Sequence, residues 1–219
     1  MDEMRIKTIL THLKDAGIIA ILRGQNFERM IQRGLTLADM GCTAIEVTLD
    51  SPHALAIVSE LRQKLPSSVL VGVGTLLDTE QIESCVKVGA EYALSPTNPE
   101  GMIQHCHAAN ILAVPGVANS DELEAAITDG ARIIKLFPAT EWSSNQLTSA
   151  SVPWMPVGGV DAQSVWQWLD AGAWCVGMGA NLCGSDLNNE DEYSTTWAES
   201  EEQVARGIFM ELQRWRNDA

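Results

Sequence analysis

Lys135 stands inside an apolar run, RIIKLFP (132–138), while the other four lysines, Lys7, Lys14, Lys64 and Lys87, fall on an N-terminal helical stretch or near helix ends. Burying an ammonium group is costly. A lysine in that position is therefore either paired with a carboxylate or works as an amine of depressed pKa, a Schiff-base nucleophile or a substrate ligand. Glu46 poses the same problem with the opposite sign. It lies in AIEVTL (44–49), with Thr48 two residues on and so on the same face of a strand. Glu46 and Lys135 could neutralise each other as a plain ion pair, or Glu46 could move protons for amine chemistry. Arg23 directly follows the run IIAIL (18–22), where a guanidinium suits a planar carboxylate or a phosphate, or else pairs with an acid or caps a helix. Thr75, in VGVGT, offers a hydroxyl beside two glycines, for a ligand or for capping the next helix.

A second kind of chemistry is suggested where cations are missing. Between Leu136 and Ala205 there is no Lys or Arg, and the same stretch carries ten acids. An anion bound there must be held by backbone amides. Gly158-Gly159 and Gly177-Met178-Gly179-Ala180 close two apolar runs and supply such amides. The acids themselves read as a solvated surface. The histidines and cysteines are bland. His105 and His107 are two apart on a helix and do not share a face. Cys42, Cys85, Cys106, Cys175 and Cys183 are scattered as core residues, and neither a metal site nor a catalytic thiol is expected.

The elements that position these groups are legible. Apolar runs recur at 18–22, 44–49, 70–75, 92–96, 111–116, 132–138, 154–159 and 174–180, and between them lie stretches of helical length and period. Asp78, Asn119-Ser120 and Asp161 mark helix starts, and Gly41, Gly89, Gly130 and Gly172 mark helix ends. Strands without surface alternation are buried on both faces, as in parallel sheets. Eight βα units in one domain, 1–219, predict a (β/α)₈ TIM barrel with an extra N-terminal helix and a C-terminal helix. A doubly wound open sheet would want a GxGxxG fingerprint after the first strand, and IAILRGQNF lacks it. The N-terminal helix, about 2–15, is expected to cover the bottom of the barrel. Residues 184–194 read as a polar loop. Residues 195–216 read as a helix with Trp197, Val204, Ile208, Leu212 and Trp215 on one stripe. In such a barrel, function sits at the C-terminal ends of the strands, where Arg23, Glu46, Thr75, Pro96, Lys135 and the glycines fall.

Composition narrows the possible partners. The chain has 219 residues, 46% hydrophobic and 20% charged, with 29 acids against 14 Lys plus Arg and a net charge of −15. That balance argues against a nucleic-acid partner and against an anionic membrane surface. No apolar stretch approaches a membrane span. The first fifteen residues are amphipathic and charged, unlike a secretory signal, and five unpaired cysteines fit a cytoplasmic location.

The motifs IAILRG, IEVTLDSP, VGVGTLLD, SPTNPE, VPGVANSDEL, IIKLFPA and VGGV, spread over about residues 17–183, resemble one family. It comprises the class I aldolases for 2-keto-3-deoxy-6-phosphogluconate, 2-keto-3-deoxy-6-phosphogalactonate and 4-hydroxy-2-oxoglutarate, and the phosphogalactonate members are the most similar in motifs. The resemblance implies a trimeric (β/α)₈ barrel with no metal or cofactor, acting on a small keto acid to give pyruvate. It implies Lys135 as the Schiff-base lysine and Glu46 as the general acid and base. Thr75 and Pro96 would line the carboxylate pocket, and Gly158, Gly159, Gly179 and Ala180 would form the phosphate loops.

Three positions depart from the phosphogluconate pattern. Asp50 stands where those enzymes carry an Arg, Val157 where they carry a Thr, and Ala180 where they carry a Ser. The first two are similar to the phosphogalactonate subgroup, in which the strand-one Arg takes the carboxylate, so Arg23 is expected in that role. Ala180 departs from both. The departures keep two other readings open: an aldolase for an unphosphorylated keto acid such as 4-hydroxy-2-oxoglutarate, and a non-catalytic ligand-binding barrel.

Overall fold

The computed structural model describes residues 3–143, 151–188 and 197–218. Strands and helices alternate along it. The strands are β1 (Ile18–Leu22), β2 (Ala44–Thr48), β3 (Leu70–Gly74), β4 (Tyr92–Leu94), β5 (Leu112–Val114), β6 (Gly116–Val117), β7 (Ile134–Leu136), β8 (Trp154–Pro156) and β9 (Val176–Met178). The helices are α1 (Glu3–Ala16), α2 (Phe27–Asp39), α3 (Ala54–Lys64), α4 (Ile82–Lys87), α5 (Met102–Ala108), α6 (Ser120–Thr128), α7 (Ser164–Asp170), α8 (Ala180–Cys183) and α9 (Glu199–Asp218). Each of the eight predicted runs contains a strand; Asp78 and Asn119 cap as read, whereas Asp161 closes the turn just before α7, whose cap position, Gln163, makes no side-chain bond. The side chain of Asn119 accepts a hydrogen bond from Glu122 N at 3.0 Å, and Asp161 Oδ1 accepts one from Ser164 N at 2.8 Å. Gly41 and Gly172 follow their helices with positive φ, a conformation that costs glycine little.

All strand pairs are parallel. They form a six-stranded sheet in the order β5-β4-β3-β2-β1-β9 and a three-stranded sheet in the order β6-β7-β8. The sequence predicted one strand over 111–116, and the structure divides it. Pro115 has no N–H to give to a ladder, and at this residue the chain passes from β5, paired with β4, to β6, paired with β7. The Pro115 carbonyl still accepts from Lys135 N at 2.8 Å. At the other edges the sheets meet through a parallel bridge between Val157 and Gly177 and a 3.2 Å bond from Trp174 N to Trp154 O.

Both faces of the sheets are buried, as the unbroken apolar runs require. One face packs Ile18, Ala20, Leu22, Ile45 and Val47 against the surrounding helices. The other gathers Ile19, Ala44, Leu70, Tyr92, Leu112 and Met155 into an inner cluster. Helix α1 contributes Ile6, Ile9 and Leu13 to that inner cluster. Their spacing puts all three on one stripe, and burying each stabilises the fold by about 1.5–3 kcal/mol.

The C-terminal expectations need correction. Helix α9 starts at Glu199, so Trp197 precedes it. Val204 is exposed, and the buried stripe runs through Ala205, Ile208, Phe209 and Leu212. Of the predicted polar loop, Gly184 closes α8 with positive φ, Ser185–Asn188 form a 3₁₀ turn, and 189–194, like residues 195–196, lie outside the described residues. Asp186 is not part of a solvated acidic surface. It is 12% exposed and accepts two 2.9 Å bonds from the buried Arg33.

Candidate active site

At the C-terminal ends of the strands lies a cavity of about 400 Å³. Arg23, Glu46, Thr75, Pro96, Lys135, Gly158, Gly159, Gly179 and Ala180 all line it. Residues from seven strand ends, 157 positions apart in sequence at the extremes, thus share one space.

Glu46 and Lys135 enter from opposite parts of the fold. Glu46 sits at the centre of β2, in register with Ile21 of β1 and Gly72 of β3. Lys135 sits in β7, in register with Gly116 and Met155. Both side chains point to the inner face, above a floor made by Tyr92, whose hydroxyl donates to Ile45 O at 2.7 Å. Glu46 is 1% exposed and Lys135 5%. The Glu46 carboxyl occupies space that β3 leaves open. A Cβ at Gly74 would stand 1.5 Å from Oε1 and 2.4 Å from Cδ. The Gly72-x-Gly74 spacing on β3 is the signal for this close approach; one glycine admits the Tyr92 ring, the other the carboxyl.

The electrostatics follow from burial. Desolvation pushes the Glu46 carboxyl above its ordinary range, opposed by the positive charges of Lys135 and Arg23. Desolvation likewise pulls the Lys135 amine down, opposed by Glu46 and assisted by Arg23. Glu46 Oε2 has no hydrogen-bond partner among the described residues. The Lys135 Nζ lies 4.8 Å from the centroid of the Phe137 ring. Burial thus shifts both groups toward their uncharged forms, and the charge of each opposes the shift of the other.

Arg23 reaches from the end of β1 across the ends of β2 and β3. Its Nη2 donates to Thr75 Oγ1 at 3.0 Å and its Nε to Thr48 Oγ1 at 3.4 Å. Asp50 pairs with it, Nε to Oδ2 at 3.4 Å. Half of the guanidinium side chain faces solvent, so a planar anion entering the cavity can reach it. Thr48 is fixed in turn by Ser51, 3.0 Å away, and Ser51 accepts from Gly24 N at 3.2 Å. The Asp50 partnership is a feature the sequence left unread.

The other wall is built from the ends of β8 and β9. Gly158 and Gly159 have φ of 89° and 86°, and a Cβ on either would press on Phe137 or Thr140 at 3.0 or 2.7 Å. This loop is tied to the β9 end by Asn181, whose Nδ2 donates to Val160 O at 3.0 Å. Asn181 and Asn188 both line the cavity, and the sequence reading passed over both. Cys183 lines it too, with burial pushing its thiol well above the ordinary range. Among the described residues, no group of three or more His, Cys, Asp or Glu converges to hold a metal ion.

Residues 9–197 match the model of the KDPG and KHG aldolase family, named for 2-keto-3-deoxy-6-phosphogluconate and 4-hydroxy-2-oxoglutarate. The chain belongs to this family. It is an aldolase, a carbon–carbon lyase. The probable 2-dehydro-3-deoxy-6-phosphogalactonate aldolase of Rhizobium meliloti is 31% identical over 171 residues, 75% of this chain and 81% of that one. The 2-dehydro-3-deoxy-6-phosphogalactonate aldolase of Escherichia coli is 26% identical over 171 residues, 75% of this chain and 83% of that one. Among solved structures, the KDPG aldolase from Legionella pneumophila, with pyruvate captured as a covalent carbinolamine, superposes with a TM-score of 0.76. It is 22% identical, covering 93% of this chain and 97% of that one. The aldolase thus shares its α/β architecture with these enzymes, and no helix among its described residues is long and apolar enough to cross a membrane.

Proposed function

We propose that this aldolase reversibly cleaves a 2-keto-3-deoxy-6-phospho sugar acid, of the phosphogluconate or phosphogalactonate type, to pyruvate and glyceraldehyde 3-phosphate. The observation that carries the reading is the burial of Lys135 and Glu46 in one cavity with Arg23 at its rim. The two sheets, adjoining at Pro115 and at the Val157–Gly177 bridge, are taken as one (β/α)₈ barrel with its mouth at this cavity.

In the proposed reaction the neutral Lys135 amine attacks the C2 ketone. Glu46 gives the proton that lets water leave, and an iminium forms. The iminium accepts the electron pair as C3–C4 breaks, while Glu46 takes the proton of the C4 hydroxyl. The aldehyde departs. The enamine regains a proton at C3, and hydrolysis of the imine returns Lys135 and releases pyruvate. The imine is the electron sink, so these steps need no metal or cofactor. Arg23 and Thr75 hold the substrate carboxylate, with Pro96 against it. Amides of Gly158, Gly159, Gly179 and Ala180 face the phosphate, since among the described residues this wall has no cation. The proposal extends to a homotrimer, as the family resemblance implies, in the cytoplasm, which the five unpaired cysteines favour.

The uncharged wall and Ala180, which lacks a hydroxyl, favour one second reading, an aldolase for an unphosphorylated keto acid such as 4-hydroxy-2-oxoglutarate. Pyruvate release from phosphorylated and unphosphorylated substrates, measured side by side, separates the two. A kcat/KM at least ten-fold higher with the 6-phosphate is expected. Preference for the unphosphorylated acid would overturn the first reading and leave the second.

A further inference from the structure

Among the described residues, the wall made by the ends of β8 and β9 carries two amide side chains, Asn181 and Asn188. Asn181 is engaged, its Nδ2 given to Val160 O. Asn188 makes no side-chain hydrogen bond among the described residues and faces the cavity from its mouth. Arg23 leans from β1 toward Thr48, Asp50 and Thr75, whereas the turn carrying Asn188 follows β9, on β1's other side. Asn188 thus lines the cavity on the side of β1 opposite the one toward which the Arg23 side chain leans, next to Leu187, which packs against Gly24 and Gln25.

The fold holds this turn in place. Two arginines of α2, each 4% exposed, are directed at it. Arg33 gives both bonds to Asp186, and Arg29 Nη1 donates to Asp186 O at 2.9 Å. The Trp197 ring stacks 3.9 Å from the Arg33 guanidinium, and Gly184 leaves the room these groups need, since a Cβ there would meet Arg33 Nη1 at 2.5 Å. The next residue is fixed from the β1 side, with Gln25 N donating to Leu187 O at 2.8 Å. Ser185 is bound to Glu201 through both its N and its Oγ. Bonds at Ser185, Asp186 and Leu187 thus secure the backbone that leads into Asn188, and a secured backbone favours recognition of a ligand oxygen.

We infer that Asn188 is a specificity-determining residue that hydrogen-bonds the distal oxygens of the substrate, at the end remote from the Lys135 imine. The inference rests on the proposed aldol reaction. An amide suits either a phosphate or a hydroxyl at that end, and the test separates the two.

The test compares Asn188→Ala and Asn188→Asp with the unaltered enzyme in two reactions, cleavage of the 6-phosphate and borohydride trapping of pyruvate, which has no distal end. Thermal melting verifies the fold of each variant. Asn188→Ala is expected to lower kcat/KM for cleavage about ten-fold or more, and by at least ten-fold more than it lowers trapping. If the distal group is a phosphate, Asn188→Asp loses still more than Asn188→Ala, through charge repulsion. If it is a hydroxyl, Asn188→Asp retains most of the activity. Cleavage within two-fold of the unaltered enzyme in both variants would overturn the inference, as would equal losses in cleavage and trapping. Failure of the unaltered enzyme to trap pyruvate would instead overturn the aldol reading on which it depends.

Discussion

Replacing Gly74 by alanine should disable proton transfer while leaving Lys135 untouched. The added Cβ would fall 1.5 Å from Glu46 Oε1, 2.4 Å from Cδ and 2.8 Å from Cγ. Ordinary van der Waals separation is about 3.5–4 Å, so the carboxyl must move by roughly 2 Å, in a place where Glu46 is almost wholly buried. A displacement of that size removes a general acid–base from reach of its proton. Such groups contribute about 10²- to 10⁴-fold to rate, or roughly 3 to 5 kcal/mol of barrier. The overpacking itself should cost about 1–3 kcal/mol of stability. Gly72→Ala is the matched control. It is on the same strand and face, but its Cβ would strike the Tyr92 ring at 2.4 Å rather than the carboxyl. The assay is steady-state release of pyruvate, with thermal melting of both variants to correct for folding. Gly74→Ala should lose at least 100-fold in kcat, and Gly72→Ala should lose stability with a much smaller fall in turnover. A folded Gly74→Ala enzyme with kcat within a few-fold of the unaltered chain would refute the role given to Glu46.

Two further outcomes follow from the same geometry. Glu46→Gln removes the charge that holds the Lys135 pKa up against desolvation, so the amine should titrate lower still; borohydride trapping by pyruvate should slow, but its acid limb should move to lower pH, while cleavage falls by about 10²–10⁴. An acid limb of trapping that moves to higher pH would contradict the sign of that coupling. Asp186→Asn takes one partner from an ion pair in which Arg33 is 4% and Asp186 12% exposed, which should cost about 3 kcal/mol and lower Tm by about 6–12 °C, read by thermal denaturation; a change under 2 °C would mean the pair contributes little.

Much of this site could be read from sequence because its signals are local. Lys135 announces itself as the only lysine inside an apolar run, and Glu46 as a carboxylate inside another. The βα period then brings both to the same end of the strands, where the cavity is found. What escaped reading depends on residues far apart in sequence. Nothing near Asp186 distinguishes it from its acidic neighbours; its role is set by Arg33, 153 positions earlier. In the sequence Asp50 stands out only as a missing cation, and the packing of β1 against β2 reveals it as the partner of Arg23. The amides of Asn181 and Asn188 gain meaning only when the chain ends of β8 and β9 are placed beside the cavity. The division of the 111–116 run had a local cause in Pro115, but a proline in an apolar run does not say which strand each half will join.

The central claim is that Lys135 forms an imine with a 2-keto acid. Incubation with pyruvate and borohydride, followed by peptide mass spectrometry, tests it most directly. The account predicts a reduced pyruvyl adduct on the peptide containing Lys135 and none on Lys7, Lys14, Lys64 or Lys87. Folded protein with no adduct at Lys135, or with the adduct on another lysine, would contradict it.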